Sequence, residues 1–181
     1  MNSRNFKMYS HSLKIPKERI PILIGKKGET KKYIEGQVKI KLAVDSKEGD
    51  VVISGEDSVN VFIASLVIRA IARGFNPVVA LNLLGEEYSF ELINVSDYAK
   101  TKNSLIRLKG RVIGGEGKSK KQLEQLTHTD IAVYGKTVGI IGLIENVMLA
   151  KQAVERLLQG SRHGNVYAWL EKQKKEVREE N

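Results

Sequence analysis

Ile24-Gly25-Lys26-Lys27-Gly28-Glu29-Thr30-Lys31-Lys32 returns, 89 residues later, as Ile113-Gly114-Gly115-Glu116-Gly117-Lys118-Ser119-Lys120-Lys121. Each copy is a Gly-x-x-Gly loop led by an apolar residue and followed by a basic, helix-forming stretch. The same spacing carries Ile34 and Glu35 onto Leu123 and Glu124. A single Gly-x-x-Gly is weak, because most instances are turns; the duplicated surroundings make it a signal.

The pattern around the first loop is that of a small α+β domain. Tyr9, His11, Leu13 and Ile15 alternate with more polar neighbours, the period of a strand, and Pro16 ends it. Lys17 to Ile24 reads as a short helix with Pro21 in its first turn. After the loop, Glu29 to Glu35 predicts a second helix stopped by Gly36. Ile40, Leu42 and Val44 share one face of a second strand, and Val51 to Ser54 predicts a third. Val59, Phe62, Ile63, Leu66, Val67, Ala70 and Ile71 then follow helical spacing, a helix laid on a sheet and ended at Gly74.

The second copy repeats this β-α-α-β-β-α order. Phe90 to Val95 predicts its first strand, and Ser104 to Ile113 and Lys118 to Leu126 its two short helices. Ile131 to Tyr134 and Val138 to Ile141 form a hairpin turned at Gly135-Lys136, before a long helix to Leu158. That helix matches the first copy's at an offset of 87. The domains are placed at 1–76 and 77–160, the latter including a linker helix, with a helical extension over 161–181.

The 181 residues are 41% hydrophobic, enough for a core, and carry a net charge of +9, which favours anionic partners. The first 74 residues hold 14 basic against 8 acidic side chains and are the more cationic part. There is no cysteine, and the three histidines are scattered, so no thiolate chemistry or metal cluster suggests itself. No paired carboxylates or nucleophile–base set stands out. Gly117-Lys118-Ser119 imitates the end of a phosphate-binding P-loop, but that motif needs a glycine where Val112 stands. No apolar stretch approaches the roughly 20 residues of a membrane span. A non-enzymatic, cofactor-free cytoplasmic protein is expected.

Ile-Gly-Lys-Lys-Gly, led by Ile15-Pro16 and followed by two strands and a long helix, resembles the type I KH domain. Two KH-like domains with little else resemble the partner-of-Nob-one / Dim-two family of ribosome-assembly factors, and Arg111 to Lys118 is the part most similar to it. The resemblance covers roughly residues 7–160. It implies three-stranded sheets backed by helices. Its eukaryotic members carry a long N-terminal extension, so this chain looks archaeal. It further implies a monomeric, non-catalytic factor on single-stranded RNA at the 3′ end of small-subunit rRNA. The nuclease that trims that end and the α subunit of translation initiation factor two are its implied companions.

A KH module clamps about four nucleotides, its glycine loop on the backbone. Glycines let the main chain approach a phosphate, and the helix after the loop offers free N–H groups and a favourable dipole. The resemblance assigns Ile24, Ile34, Ile40 and Leu42 to the first groove and Ile113, Leu123, Ile131 and Val133 to the second. The first loop, Gly25 to Gly28, has Lys26 and Lys27 inside it and Lys31 and Lys32 after it. The second, Gly114 to Gly117, has Arg107, Lys109 and Arg111 before it and Lys118, Lys120 and Lys121 after it, but holds Gly115-Glu116 inside. A carboxylate repels a phosphate. Either the flanking cations compensate, or Glu116 turns outward, or this loop takes a protein. The competing functions are a KH-fold scaffold joining ribosomal or initiation proteins and a subunit of an RNA-decay complex.

Overall fold

The computed structural model describes residues 7–179, with side chains as far as 175. The elements run β1 (Tyr9–Lys14), α1 (Ile20–Ile24), α2 (Glu29–Val38), β2 (Lys41–Val44), β3 (Asp50–Gly55) and α3 (Ser58–Ala72). After a short α4 (Pro77–Ala80) come β4 (Tyr88–Asn94), α5 (Lys102–Ile113), α6 (Lys118–Thr127), β5 (Asp130–Tyr134), β6 (Thr137–Leu143), α7 (Ile144–Leu158) and α8 (His163–Glu179). Each copy builds an antiparallel three-stranded sheet, ordered β1-β3-β2 and β4-β6-β5. Both units are α+β and follow the expected β-α-α-β-β-α order, with an additional C-terminal helix.

The two domains are congruent, with the differences confined to connections. Leu13 pairs with Val51 as Ile93 pairs with Val138, so the first strands match at an offset of 80 and the third strands at 87. The loops match at 89 and the long helices, 58–72 and 144–158, at 86. At 86 the buried faces coincide: Ala64, Val67, Ile68 and Ile71 fall on Ala150, Ala153, Val154 and Leu157. The sequence offset of 87 put Phe62 on Leu149, and the structure corrects it. Phe62 and Val59 are about 60% exposed and belong to the outer face of α3. One residue is absent between strand and helix in the second copy, two in its hairpin, and nine are added before its loop. Indels in connections leave the packed layers intact.

Each core is sealed by the same triad, Ile34, Ile53 and Ile71 in one domain and Leu123, Ile140 and Leu157 in the other, all without measurable exposure. Full burial of each such side chain stabilises by about 1.5–3 kcal/mol. Gly36 does not stop α2. The helix continues to Val38, which is buried, and ends at Lys39 in the left-handed region (φ 50°). Burial of Val38 outweighs the roughly 1 kcal/mol that an interior glycine costs. His128, at φ 53°, ends α6 in the same way.

The chain divides into units at Met1–Glu86 and Glu87–Asn181. The boundary falls ten residues later than the sequence placed it, because α4 and the 3-10 turn Leu81–Leu84 pack on α3. The C-terminal helix is no separate extension either. Val166 and Leu170 lie in the core of the second unit, and α8 packs on α6 and α7. The Arg156 guanidinium covers the Trp169 ring at 4.2 Å.

Candidate nucleic-acid interface

The two glycine loops have one backbone. Gly25, Lys27 and Gly28 sit at φ 74°, 52° and 81°; Gly114, Glu116 and Gly117 sit at 74°, 52° and 75°. The leading glycine is obligatory. A Cβ on Gly25 would stand 2.8 Å from the Thr30 amide nitrogen, and one on Gly114 would stand 2.6 Å from that of Ser119. Lys27 and Glu116 are non-glycine residues in the left-handed region, which costs each about 1 kcal/mol. The same conformation ends α2 at Lys39 and α6 at His128, so the left-handed residue within the loop is one of two such positions that both copies keep.

The helix opening after each loop is suited to an anion. Helices α2 and α6 start directly after the loop with no side-chain cap, as do α1 and α7, whereas Asp57, Asn76 and Thr101 cap α3, α4 and α5. The first-turn N–H groups and the positive end of the dipole are thus offered at the loop.

The candidate cations fall into two groups. Lys26, Lys27, Lys32, Lys121 and Arg107 are exposed, and among the described residues none of them forms an ion pair. The others are engaged. Lys31 lies 3.7 Å from Glu35, and Lys120 lies 2.8 Å from Glu124. Those carboxylates in turn accept the amides of Leu42 and Ile131, each at 2.8 Å, pinning the edge strand to the helix. Lys109 donates to the Gly135 carbonyl at 2.9 Å and so ties α5 to the hairpin turn. Arg111 is engaged within the fold. Its guanidinium donates to the carbonyls of Leu157 and Ser161 and clasps the end of α7. Arg19 does the same for α3 through the carbonyls of Ile71 and Phe75. Lys118 lies 3.1 Å from Glu116 across an exposed surface, so the loop carboxylate of the second copy is met by its neighbour.

Most of the apolar residues assigned to the grooves are buried in this structure. Ile40, Leu42 and Ile131 are only 3–5% exposed and belong to the core, as do Ile34 and Leu123; none offers a face to a base. Strand alternation explains it, since Leu42 points inward while Lys41 and Ala43 point out. The open cleft beside the first loop, about 360 Å³, is lined by Lys17, Ile20, Pro21, Ile24, Gly25 and Ser46. One wall is α1 and the other the β2–β3 loop. That loop is held by Asp45, whose carboxylate accepts the amides of Lys47 at 2.8 Å and Glu48 at 3.1 Å. These bonds, Glu48's first, hold the Asp45 carboxyl below its ordinary 3.8. In the second domain a cleft of about 470 Å³ lies between α5 and the hairpin, with Lys100, Lys102 and Lys136 on its rim. Of the predicted groove residues, Ile24 and Ile113 remain partly exposed beside their loops, and Val133 remains partly exposed on β5. Lys17, Pro21 and Ser46, which also line the first cleft, were not singled out from the sequence. The signal for Pro21 was its place one helical turn before Gly25.

Among the described residues no helix is long and apolar enough to cross a membrane, and no group of three or more His, Asp or Glu residues could hold a metal ion.

Residues 10–70 match the KH domain, and residues 89–175 match the eukaryotic-type KH domain, KH-domain type I. Over 170 residues the chain is 48% identical to the KH domain-containing protein MJ0443 of Methanocaldococcus jannaschii, covering 92% of this chain and 74% of that one. It is 32% identical over 135 residues to the RNA-binding protein pno1 of Dictyostelium discoideum, spanning 74% of this chain and about half, 53%, of that relative. Its structure is similar, at a TM-score of 0.88 and 43% identity, to a chain of the a/eIF2alpha-aDim2p-rRNA complex from Pyrococcus horikoshii OT3, covering 95% of this chain and 97% of that one.

Proposed function

The chain belongs to the Dim2/PNO1 family of KH-domain proteins, and from that premise we propose that it binds single-stranded RNA during small-subunit ribosome assembly, holding the 3′ end of the small-subunit rRNA. The observation that carries this reading is the pair of glycine loops with one strained backbone, each opening an uncapped helix. A phosphate at either loop meets backbone N–H groups, a helix dipole and exposed lysines, and in the first domain bases lie in the cleft alongside α1. The protein positions the RNA, and the cut is left to the nuclease that trims that end. The α subunit of initiation factor two is its second partner, in keeping with the relative crystallised with a/eIF2alpha and rRNA.

Fluorescence anisotropy tests it, with one RNA carrying the 3′-terminal sequence of small-subunit rRNA and a scrambled control of equal length. The expected result is a nanomolar constant with about 100-fold preference, roughly 2.7 kcal/mol. If about five phosphates are neutralised, log K falls with log salt at a slope near −3.5. Equal, weak binding to both RNAs would remove the rRNA assignment and leave a KH fold used for docking proteins.

A further inference from the structure

The first domain carries a second basic feature that the glycine loop does not use. A cavity of about 610 Å³ beside the edge strand β1 is lined by His11, Lys14, Lys17, Arg69 and Arg73, against a single carboxylate, Glu48. All five basic side chains are exposed, and among the described residues neither arginine forms a salt bridge. Lys14 has only a loose contact with Asp50, at 3.8 Å on the exposed surface.

The duplicated domain serves as an internal control for whether the fold itself needs these charges. His11 stands opposite Ile53 in the sheet, and its counterpart opposite Ile140 is Glu91. Lys14 corresponds to Asn94. Arg73, the residue that ends α3, corresponds to Gln159 at the end of α7, and Arg69, four residues earlier, to Glu155. The same place in the second domain is therefore acidic, with Glu91 paired to Lys151 at 2.8 Å. Glu155 and Asp97, behind burial, hold the Tyr98 hydroxyl above its ordinary pKa, which places all of them in one neighbourhood. One fold accommodates either sign, so packing does not explain the cluster of cations.

Two observations say what it receives. Lys17 lines both this cavity and the cleft beside the glycine loop, so the two adjoin. No large apolar side chain is exposed in the cavity, and Ile15 in its wall is 3% exposed, so it lacks the apolar anchor that a protein interface centres on. We propose that this cavity binds backbone phosphates of the RNA segment that continues past the first glycine-loop cleft, with Arg69 and Arg73 as the principal ligands. The first domain then holds more than the four or so nucleotides of a KH groove. The proposal rests on the RNA-binding reading above, and extends it to one flank of the bound strand.

The test uses the full chain and three RNAs: a core of about four nucleotides, and the same core extended by about six at its 5′ or its 3′ end. The variant is Arg69→Glu with Arg73→Gln, the residues the second domain carries at these places, with its circular dichroism melt as the check on folding. Lys26→Asp with Lys27→Asp reports on the loop. The expected result is that the arginine variant binds the core like wild type and loses about tenfold on one extended RNA only. Its salt slope there becomes shallower by about 1.4, two phosphates at 0.7 each. An equal loss on all three RNAs would mean a general charge effect, and no loss on any would mean no RNA contact; either overturns the proposal. Loss of an acidic protein partner with RNA affinity intact would also overturn it and assign the cavity to protein. Failure of the underlying reading looks different: the loop variant would then bind the core as wild type does.

Discussion

The first and second domains have the same interior and opposite exteriors. Ile34, Ile53 and Ile71 reappear as Leu123, Ile140 and Leu157, and the loop dihedrals agree within a few degrees. Yet Lys27 faces solvent where Glu116 does, Glu29 opens one helix where Lys118 opens the other, and Arg69 answers to Glu155. Even the clasp on the long helix is kept in role but not in position: Arg19 stands six residues before its loop glycine and Arg111 three. The backbone that could cradle a phosphate is constant, while the charge that decides how strongly it does so is free to differ. On the RNA-binding reading proposed above, the contrast makes the first loop the stronger electrostatic clamp.

The largest effect should come from breaking what the domains share. Arg111→Leu removes two charge-assisted hydrogen bonds to carbonyls at the end of α7, and Arg19→Leu does so at the end of α3. Each is expected to cost about 3 kcal/mol in urea unfolding. If Arg111→Leu left stability unchanged and weakened RNA binding alone, the equivalence of the two arginines would fail and Arg111 would return to the binding site.

Next come the loops, where the domains differ. Lys26→Asp with Lys27→Asp should lower RNA affinity about thirtyfold, roughly 2 kcal/mol. Aspartate tolerates the left-handed backbone at position 27, so the fold is expected to survive. The matching change, Gly115→Asp with Glu116→Asp, should cost only about threefold, roughly 0.7 kcal/mol, because that loop already carries a carboxylate. Comparable losses would show that charge inside the loop does not distinguish the two sites. The converse change, Glu116→Lys, should raise affinity by about threefold. Stability should hardly change, since the Glu116–Lys118 pair is exposed and such pairs contribute about 0–1 kcal/mol.

Legibility in the sequence divides along the same line between backbone and side-chain chemistry. The duplicated glycines and the helical and strand periods announced two β-α-α-β-β-α domains, because turns and apolar faces leave local signatures. The α2 terminus was missed, since burial of Val38 is a tertiary fact that overrides Gly36. The burial of the assigned groove residues was not legible for a related reason. Ile40, Leu42 and Ile131 are apolar whether they meet a base or a core, and only strand orientation tells which. Nor could sequence separate Lys32, which is exposed and unpaired among the described residues, from Lys31, which is bound to Glu35. The repeated glutamate, Glu35 and Glu124, was visible as a spacing, but its use as an acceptor for an edge-strand amide needed coordinates.

The smallest difference is one of acid response. Asp45 in the first domain is held below its ordinary 3.8 by the amides of Glu48 and Lys47. Its contribution is thus present above 3.8 and is lost as pH falls through the lower, folded value. Asp130, at the start of β5, is shifted the other way, by burial and then by Glu124. Its charged form is the disfavoured one, so protonation relieves a penalty, and this happens at a higher pH than in the unfolded chain. Lowering the pH from 6 should therefore ease the second domain before it loosens the β2–β3 loop of the first. In an NMR titration the Asp130 carboxyl should turn over above 3.8, and the Lys47 and Glu48 amides should move together below it. Because Ser46 lies in the wall of the first cleft, loosening of that turn should accompany any acid loss of RNA from the first domain. A common midpoint for both aspartates would mean that neither local geometry governs its carboxyl, and that the two hairpins do not differ in the way their turns suggest.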